Sequence, residues 1–358
     1  MMAVVKADGY GHGAPQVARV ALENGADLLA VARMGEAVQL REAGVSAPIL
    51  LFGHSLPAYV DTLASRDIRA ALNSLEGARI ISAEAVRRKT SVKAHIKIDT
   101  GMGRLGLLAD EIAIQKDSGE AFQHAVNDVL AITALPGIEV EGIFTHFANA
   151  DCRDKGHATI QLTCFIKLLE TLKKRSFRVK YRHAANSAAI IEMPGSHLDL
   201  VRPGIAQYGL WPSGEIDRQR IDLKPVMSIK SRVVHVKDVG AGFAVSYGST
   251  HVTPRPTRIA TIPVGYADGY DRILSSRGHM LVNGVRAPII GRVCMDLTMI
   301  DVGHVPGVRL EDEVVLLGSQ GEETISADEI AERVGTINYE IVSSLTSRVP
   351  KVYITEEL

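Results

Sequence analysis

Residues 3–13 read Ala3-Val4-Val5-Lys6-Ala7-Asp8-Gly9-Tyr10-Gly11-His12-Gly13. The β-branched start reads as a short buried strand. The glycines after it read as a tight turn, or as backbone lying close to a ligand. Lys6 stands at the junction. A lysine at the end of a buried strand costs free energy unless its amine is paired or chemically engaged. It could equally snorkel to the surface beside the glycine loop, and this stretch alone leaves both readings open.

Beyond it, short apolar runs alternate with helical patterns as far as about residue 205. Strands are expected at 3–5, 28–32, 49–52, 68–72, 92–98, 142–145, 179–182 and 198–201. Helices are expected at 15–24, 35–43, 57–65, 75–88, 110–135 (with a break), 153–174 and 187–193. Eight strands with a helix in nearly every gap suggest a parallel (β/α)8 TIM-type barrel rather than an open doubly wound sheet. After Trp211-Pro212-Ser213-Gly214 the grammar changes to glycine-separated strands, at 227–239, 258–264, 280–282, 287–301 and 313–317. Helical pattern returns only at 326–333 and 338–345. The expected class is therefore α/β, a barrel domain over 1–221 followed by a mostly β C-terminal domain over 222–358.

In a barrel, functional groups collect where strands end at the C-terminal rim. In chain order those ends carry Lys6, Arg33, His54, Asn73, Asp99, His146, Asn186 and Arg202. Asn186-Ser187 opens a helix, whose backbone N–H groups favour a phosphate. A lysine amine and a phosphate cradle are what a pyridoxal phosphate site needs.

The 358 residues carry 40 Lys plus Arg and 41 Asp plus Glu, a net charge of -1, which gives no case for nucleic acid or an anionic membrane. Cys152, Cys164 and Cys294 form no CxxC pair, so neither a disulfide framework nor a metal ribbon is expected. A reducing cytoplasm is the natural compartment. Lys6, Asp8, His12 and Arg19 in the first twenty residues argue against a signal peptide. The apolar runs are too short to span a bilayer. The segment Gly101-Met102-Gly103-Arg104-Leu105-Gly106 fits a dinucleotide fingerprint. It belongs to the fifth unit rather than the first of a Rossmann half, and no acidic residue ends a following strand at the right distance.

Eight stretches together resemble the alanine racemases, in the family's order. They are AVVKADGYGHG at 3–13, HIKIDTGMGRLG at 95–106, GIFTHFANAD at 142–151, AANSAA at 184–189, VRPGIAQYGL at 201–210, VSYG at 245–248, VGYADGY at 264–270 and GRVCMD at 291–296. The resemblance covers nearly the whole chain. It implies a pyridoxal phosphate enzyme that interconverts L- and D-alanine and supplies D-alanine for peptidoglycan. It implies that Lys6 holds the cofactor covalently, and that Tyr10, Ser187, Gly204 and Ile205, with Asn186 beside them, take its phosphate. His146 would lie against the pyridine ring and Arg202 would donate to the pyridine nitrogen. Tyr247, from the partner subunit of a homodimer with shared sites, would be the second acid/base. Arg104 would position Tyr247 or the substrate carboxylate, Met295 would touch the substrate through its backbone, and Lys97 would be a candidate for carbamylation. Asp151, Arg272 and Arg292 would line the access channel. Five residues precede Lys6, where the family usually carries a longer lead-in, and Ser347 stands where some members have a tyrosine.

Racemisation takes a proton from one face of a carbon and returns one to the other, so two opposed groups are the simple solution. Free lysine and tyrosine both titrate near 10, and neighbouring cations would bring each closer to its working range. A guanidinium can only donate to a ring nitrogen, which leaves that nitrogen largely unprotonated and the ring a weaker electron sink. The bland readings stand beside these. Lys97 alternates with Ile96 and Ile98, so it points either to solvent or into a barrel interior where it needs a partner. His146 reads also as a satisfied core histidine, Tyr247 as a strand-edge tyrosine, and Met295 and Cys294 as packing. His12 has no role legible here. The alternatives to strict alanine racemisation are a broader amino-acid racemase acting for example on serine, a decarboxylase of similar architecture, and a non-catalytic pyridoxal phosphate-binding protein.

Overall fold

A computed structural model describes residues 1–109 and 120–354. The chain divides into two compact units, Met1–Lys224 and Pro225–Leu358.

In the first unit seven strands form one parallel path: β1 (Met2–Val4), β2 (Leu28–Val31), β3 (Ile49–Leu51), β4 (Ile68–Leu72), β5 (Val92–Asp99), β7 (Ile138–Phe144) and β8 (Tyr181–His183). The two-residue β6 (Leu107–Leu108) adds to β5 off this path. The helices between them are α1 (Ala14–Glu23), α2 (Met34–Glu42), α3 (Val60–Ser65), α4 (Leu75–Arg87), α5 (Glu120–Thr133), α6 (Gly156–Lys174) and α7 (Ser187–Glu192). The helix expected from residue 110 falls partly outside the described residues.

The strand expected at 198–201 does not form as a regular strand. Leu198 has φ 51°, and Pro203 has no N–H to give a ladder. The segment nevertheless closes the barrel. Asp199 N donates to Arg182 O at 3.1 Å and Arg202 N to Ala185 O at 3.0 Å on one side. Met2 N donates to Val201 O at 2.9 Å and Val4 N to Pro203 O at 3.1 Å on the other.

Successive strand residues point to opposite faces, and this period splits the barrel into two cores. Ala3, Leu29, Val31, Ile49, Leu51, Ile68, Ala70, Ala94, Ile96, Ile98 and Ile143 belong to one apolar cluster with the inner faces of the helices. The alternate residues turn inward and include Arg69, His95, Lys97, Asp99, Phe144 and His183. The barrel interior is therefore strongly polar, and every group there needs a partner.

In the second unit β10 (His235–Val239), β13 (Thr257–Ile262) and β16 (Thr298–Asp301) form one antiparallel sheet. A second joins β15 (Val285–Pro288), β14 (His279–Val282), β17 (Glu313–Gln320), β18 (Glu323–Ile325) and β9 (Ile229–Arg232). A hairpin pairs β11 (Ala244–Val245) with β12 (His251–Val252). Two helices come after these strands, α8 (Ala327–Val334) and α9 (Asn338–Ser343). The single strand expected over 287–301 is two strands with a loop between. Gly291 has φ 72°, and a side chain there would meet Ser246 Cβ at 2.8 Å, so residues 291–296 leave the ladder.

Candidate functional site

Lys6 comes directly after β1 and begins an unusual turn. Ala7, Asp8, Gly9 and Tyr10 all have φ between 51° and 62°, four residues wound left-handed in succession. Each non-glycine residue held this way costs roughly 1–2 kcal/mol. The turn is held by Gly9 N to Val5 O and Gly11 N to Ala7 O, both 2.9 Å, and by Gly13 N to Asp8 O at 2.8 Å. Glu36 on α2 anchors it: one carboxylate oxygen accepts from Ala7 N at 2.6 Å, the other from Ala32 N and Arg33 N at 2.8 and 2.9 Å. Lys6 Nζ lies 5.8 Å from the centre of the Tyr10 ring. Its amine is held below the usual lysine range by burial first and by Arg104 second, with Glu36 opposing.

Arg202 is 3% exposed, and among the described residues its hydrogen-bond partners include no carboxylate. It donates from NH2 to Thr145 O and Ala184 O, both at 2.9 Å, and to His146 Nδ1 at 3.2 Å. From NH1 it donates to His183 Nδ1 at 3.0 Å. Its Nε has no acceptor among the described residues. His146 is pushed well below the usual imidazole range by burial, then by Arg202, Arg104, Lys97 and Lys6. It is therefore a neutral ring beside two guanidinium groups and two lysine amines, an arrangement suited to an anionic ligand.

Lys97 points inward, 4% exposed, with its Nζ 5.8 Å from the Phe144 ring centre. Burial, then Arg104 and Arg202, bring its amine down to about 8, against Asp99.

The phosphate corner is also built. Asn186 caps α7, accepting from Ala189 N at 3.1 Å. Ser187 Oγ accepts from Gly204 N at 2.8 Å and Ala206 N at 3.3 Å, and Ile205 begins the short helix after Gly204. A Cβ on Gly204 would lie 2.8 Å from the Tyr10 hydroxyl. Burial raises the Tyr10 phenol to about 12, so it remains a donor at neutral pH. The Tyr10 hydroxyl and the Ser187 hydroxyl, whose oxygen accepts from two backbone N–H groups and whose own proton remains to donate, thus meet where only a glycine leaves room, a corner that fits a phosphate.

The GMGRLG loop is already occupied by its own chain. Asp99 Oδ1 accepts from the backbone N–H of Gly101, Met102 and Gly103 at 3.0, 2.8 and 3.1 Å, and Oδ2 accepts from Arg104 N at 3.0 Å. Amides committed to a carboxylate cannot cradle a pyrophosphate, so the loop's geometry serves to present Arg104.

Of the rim residues, Arg33 and His54 are exposed and stand outside this cluster. Asp151 accepts from Ser213 Oγ through its backbone carbonyl. In the second unit Tyr247 is 72% and Met295 52% exposed. Tyr247 sits between Ser246, at φ 65°, and Gly248, where an added Cβ would meet the Arg292 guanidinium at 3.3 Å. Met295 O accepts from Ala267 N at 3.1 Å, and Arg272 opens a short helix capped by Asp271. Arg348, beside Ser347, pairs with Asp268 and Asp296. His12 stacks on Tyr208 at 4.5 Å, which gives it a packing role.

Three contributors were not singled out from sequence: Glu36, the buried Gln161 and the pair His95–His183. Gln161 accepts from Ala148 N at 2.9 Å and donates to His146 O at 3.1 Å, fixing the rim loop that carries His146. A glutamine on the buried face of α6 was the available signal. Among the described residues no cluster of His, Cys, Asp or Glu could hold a metal ion, and no helix is long and apolar enough to cross a membrane.

A family model described as "Alanine racemase, N-terminal domain" matches residues 1–212, and one described as "Alanine racemase, C-terminal domain" matches residues 226–353. The alanine racemase of Desulfosudis oleivorans is 51% identical over 353 residues, covering 99% of this chain and 90% of that protein. That of Desulforamulus reducens is 48% identical, covering 99% and 92%. Among solved structures, alanine racemase from Clostridium difficile 630 matches with TM-score 0.89 and 35% identity, over 97% of this chain and 87% of that one. Alanine racemase from Bacillus anthracis with bound L-Ala-P matches with TM-score 0.87 and 40% identity, over 99% and 88%.

Proposed function

The chain belongs to the alanine racemase family, a family of isomerases, and from that premise we propose that it interconverts L- and D-alanine with pyridoxal phosphate, using Lys6 and Tyr247 as opposed bases. The observation that carries this reading is the half-buried Lys6 amine, lowered by burial and Arg104, beside a neutral His146 that Arg202, Arg104 and Lys97 also surround. When bound, pyridoxal phosphate supplies an electron sink that acidifies the α-carbon of an attached amino acid.

The chain's own groups do the rest. Tyr10, Ser187, Gly204 and Ile205, with Asn186 beside them, hold the phosphate. Arg202 offers its free Nε–H to the pyridine nitrogen as a donor that cannot give up its charge, which disfavours transamination and decarboxylation. His146 packs against the ring. Lys6 holds the cofactor and moves the proton on one face, and Tyr247 moves it on the other. Arg104 orients Tyr247 or the substrate carboxylate, Met295 contributes a backbone contact, and Asp151, Arg272 and Arg292 line the access channel. Tyr247 is exposed and its hydroxyl makes no hydrogen bond among the described residues, which supports its contribution to the site of a partner copy, hence a homodimer. D-alanine supply for peptidoglycan in the cytoplasm completes the reading.

Purified protein given pyridoxal phosphate and L-alanine should form D-alanine, measured by chiral chromatography; loaded protein that forms none would overturn the proposal. L-serine assayed in parallel separates a strict from a broader racemase. Gly204→Ala places a methyl against the Tyr10 hydroxyl, and cofactor titration should show about tenfold weaker binding.

Lys97 is the proposed carbamylation site. Its amine, brought down to about 8, is partly neutral at physiological pH. The neutral amine's lone pair attacks the carbon of carbon dioxide, an N–C bond forms as one C=O π bond opens and leaves its electron pair on oxygen, and the extra proton on nitrogen passes to water. The resulting anion would pair with Arg104. Protein equilibrated with 13C-labelled carbon dioxide should show a carbamate signal that Lys97→Ala removes.

A further inference from the structure

Arg202 does not stand alone inside the barrel. Its NH1 donates to His183 Nδ1 at 3.0 Å, and His183 Nε2 lies 2.9 Å from His95 Nδ1. A guanidinium has donors only, so His183 must present a lone pair at Nδ1 and carry its proton on Nε2. That proton has to be accepted, and His95 Nδ1 is the acceptor at hand. His95 is thereby also fixed as the Nε2–H form, and that Nε2 has no hydrogen-bond partner among the described residues. Charge on Arg202 thus sets the direction of the whole chain of bonds.

The surroundings hold both rings in place. His95 and His183 are fully buried. Phe144 stacks on His183 at 4.8 Å with an interplanar angle of 4°, and Tyr181 tilts over His95 at 5.8 Å. A Cβ on Gly142 would lie 2.7 Å from His95 Nδ1, so the glycine is what lets the ring approach the strand.

We propose that His95 is a positioning residue: by accepting from His183 it forces the tautomer that receives Arg202, and so aims the guanidinium at the pyridine nitrogen. If His95 gave no acceptor, the His183 Nε2–H would be stranded in a dry interior. His183 would then move its proton to Nδ1 or turn its ring, and Nδ1–H would face Arg202 donor against donor. The inference rests on the assignment of Arg202 to the cofactor ring.

Two variants and one spectrum test it. His95→Leu removes the acceptor at similar volume, and His95→Asn keeps an amide oxygen near the position of Nδ1. Pyridoxal phosphate should bind about tenfold more weakly to His95→Leu and within about threefold of wild type to His95→Asn. In 15N spectra at neutral pH, wild-type His183 should be neutral with its proton on Nε2, and His95→Leu should shift it toward the Nδ1–H form. Equal weakening by both variants, or unchanged binding in folded His95→Leu, would overturn the proposal. A wild-type His183 that is charged, or protonated on Nδ1, would do so whether or not the leucine variant folds. Wild-type protein that binds pyridoxal phosphate yet does not racemise alanine would sink the functional reading and leave this comparison intact.

Discussion

Lys6→Ala is expected to lower racemisation about ten-thousandfold or more, and Tyr247→Phe about a thousandfold, with different signatures. In the proposed scheme Lys6 is both the covalent anchor and one base, so its loss would remove holding and proton transfer together. Tyr247→Phe would remove the other base and leave the cofactor held. In deuterium oxide, protein lacking the Tyr247 hydroxyl should still exchange the α-proton of one alanine enantiomer while forming little of the other. That asymmetry separates a missing base from a damaged site. The Lys6 amine is suited to the task because burial and Arg104 lower its proton affinity, against Glu36. Tyr247→Phe protein that racemised at the wild-type rate would end the two-base account.

Acid is expected to unfold the barrel well above the carboxylate range. His95 is brought down to about 3 by burial, then by Arg69 and Arg202. His183 is pushed well below the imidazole range by burial, then by Arg202 and His95. Both rings stay neutral in the folded protein, whereas in the unfolded chain each takes up a proton near pH 6.5. Below that pH the unfolded state binds more protons, so stability falls as pH falls; above it the contribution is constant. Each ring that stays neutral in the fold steepens the loss below pH 6.5 by about 1.4 kcal/mol per pH unit. His146 acts in the same direction. Carboxylates with lowered values, such as Asp67 and Glu329, titrate below this window. Denaturant unfolding measured across pH 5 to 8 should show the loss, and replacing His95 should flatten it. An unfolding free energy independent of pH over that range would contradict it.

Much of the barrel was legible because most of its strands are short, largely apolar runs bounded by polar rim residues. Lys6, His146 and Arg202 fell at strand ends and lie near one another, and Asn186 caps the helix that follows β8. What stayed hidden was set by tertiary context. The closing segment 199–203 bonds to both neighbours without forming a ladder, which a period-two pattern cannot reveal. The alternation His95-Ile96-Lys97-Ile98-Asp99 was visible, but an inward polar face looks the same in sequence as an outward one. Only closure of the barrel decides that Lys97 and His95 point inside. Glu36 lies in the first turn of α2, and its hold on Ala7 crosses 29 residues of chain.

The reversed screw sense of residues 7–10 makes that turn a ruler. Point substitutions there act through local torsion preferences and leave the number of steps unchanged. A deletion or insertion is another matter, because each step of such a winding rotates the downstream chain by roughly 100°. One residue more or fewer would swing the Tyr10 phenol away from the Gly204 corner while Lys6 stayed where β1 put it. The distance between amine and phenol is therefore written in chain length, and the segment should accept changes of identity far more readily than changes of count.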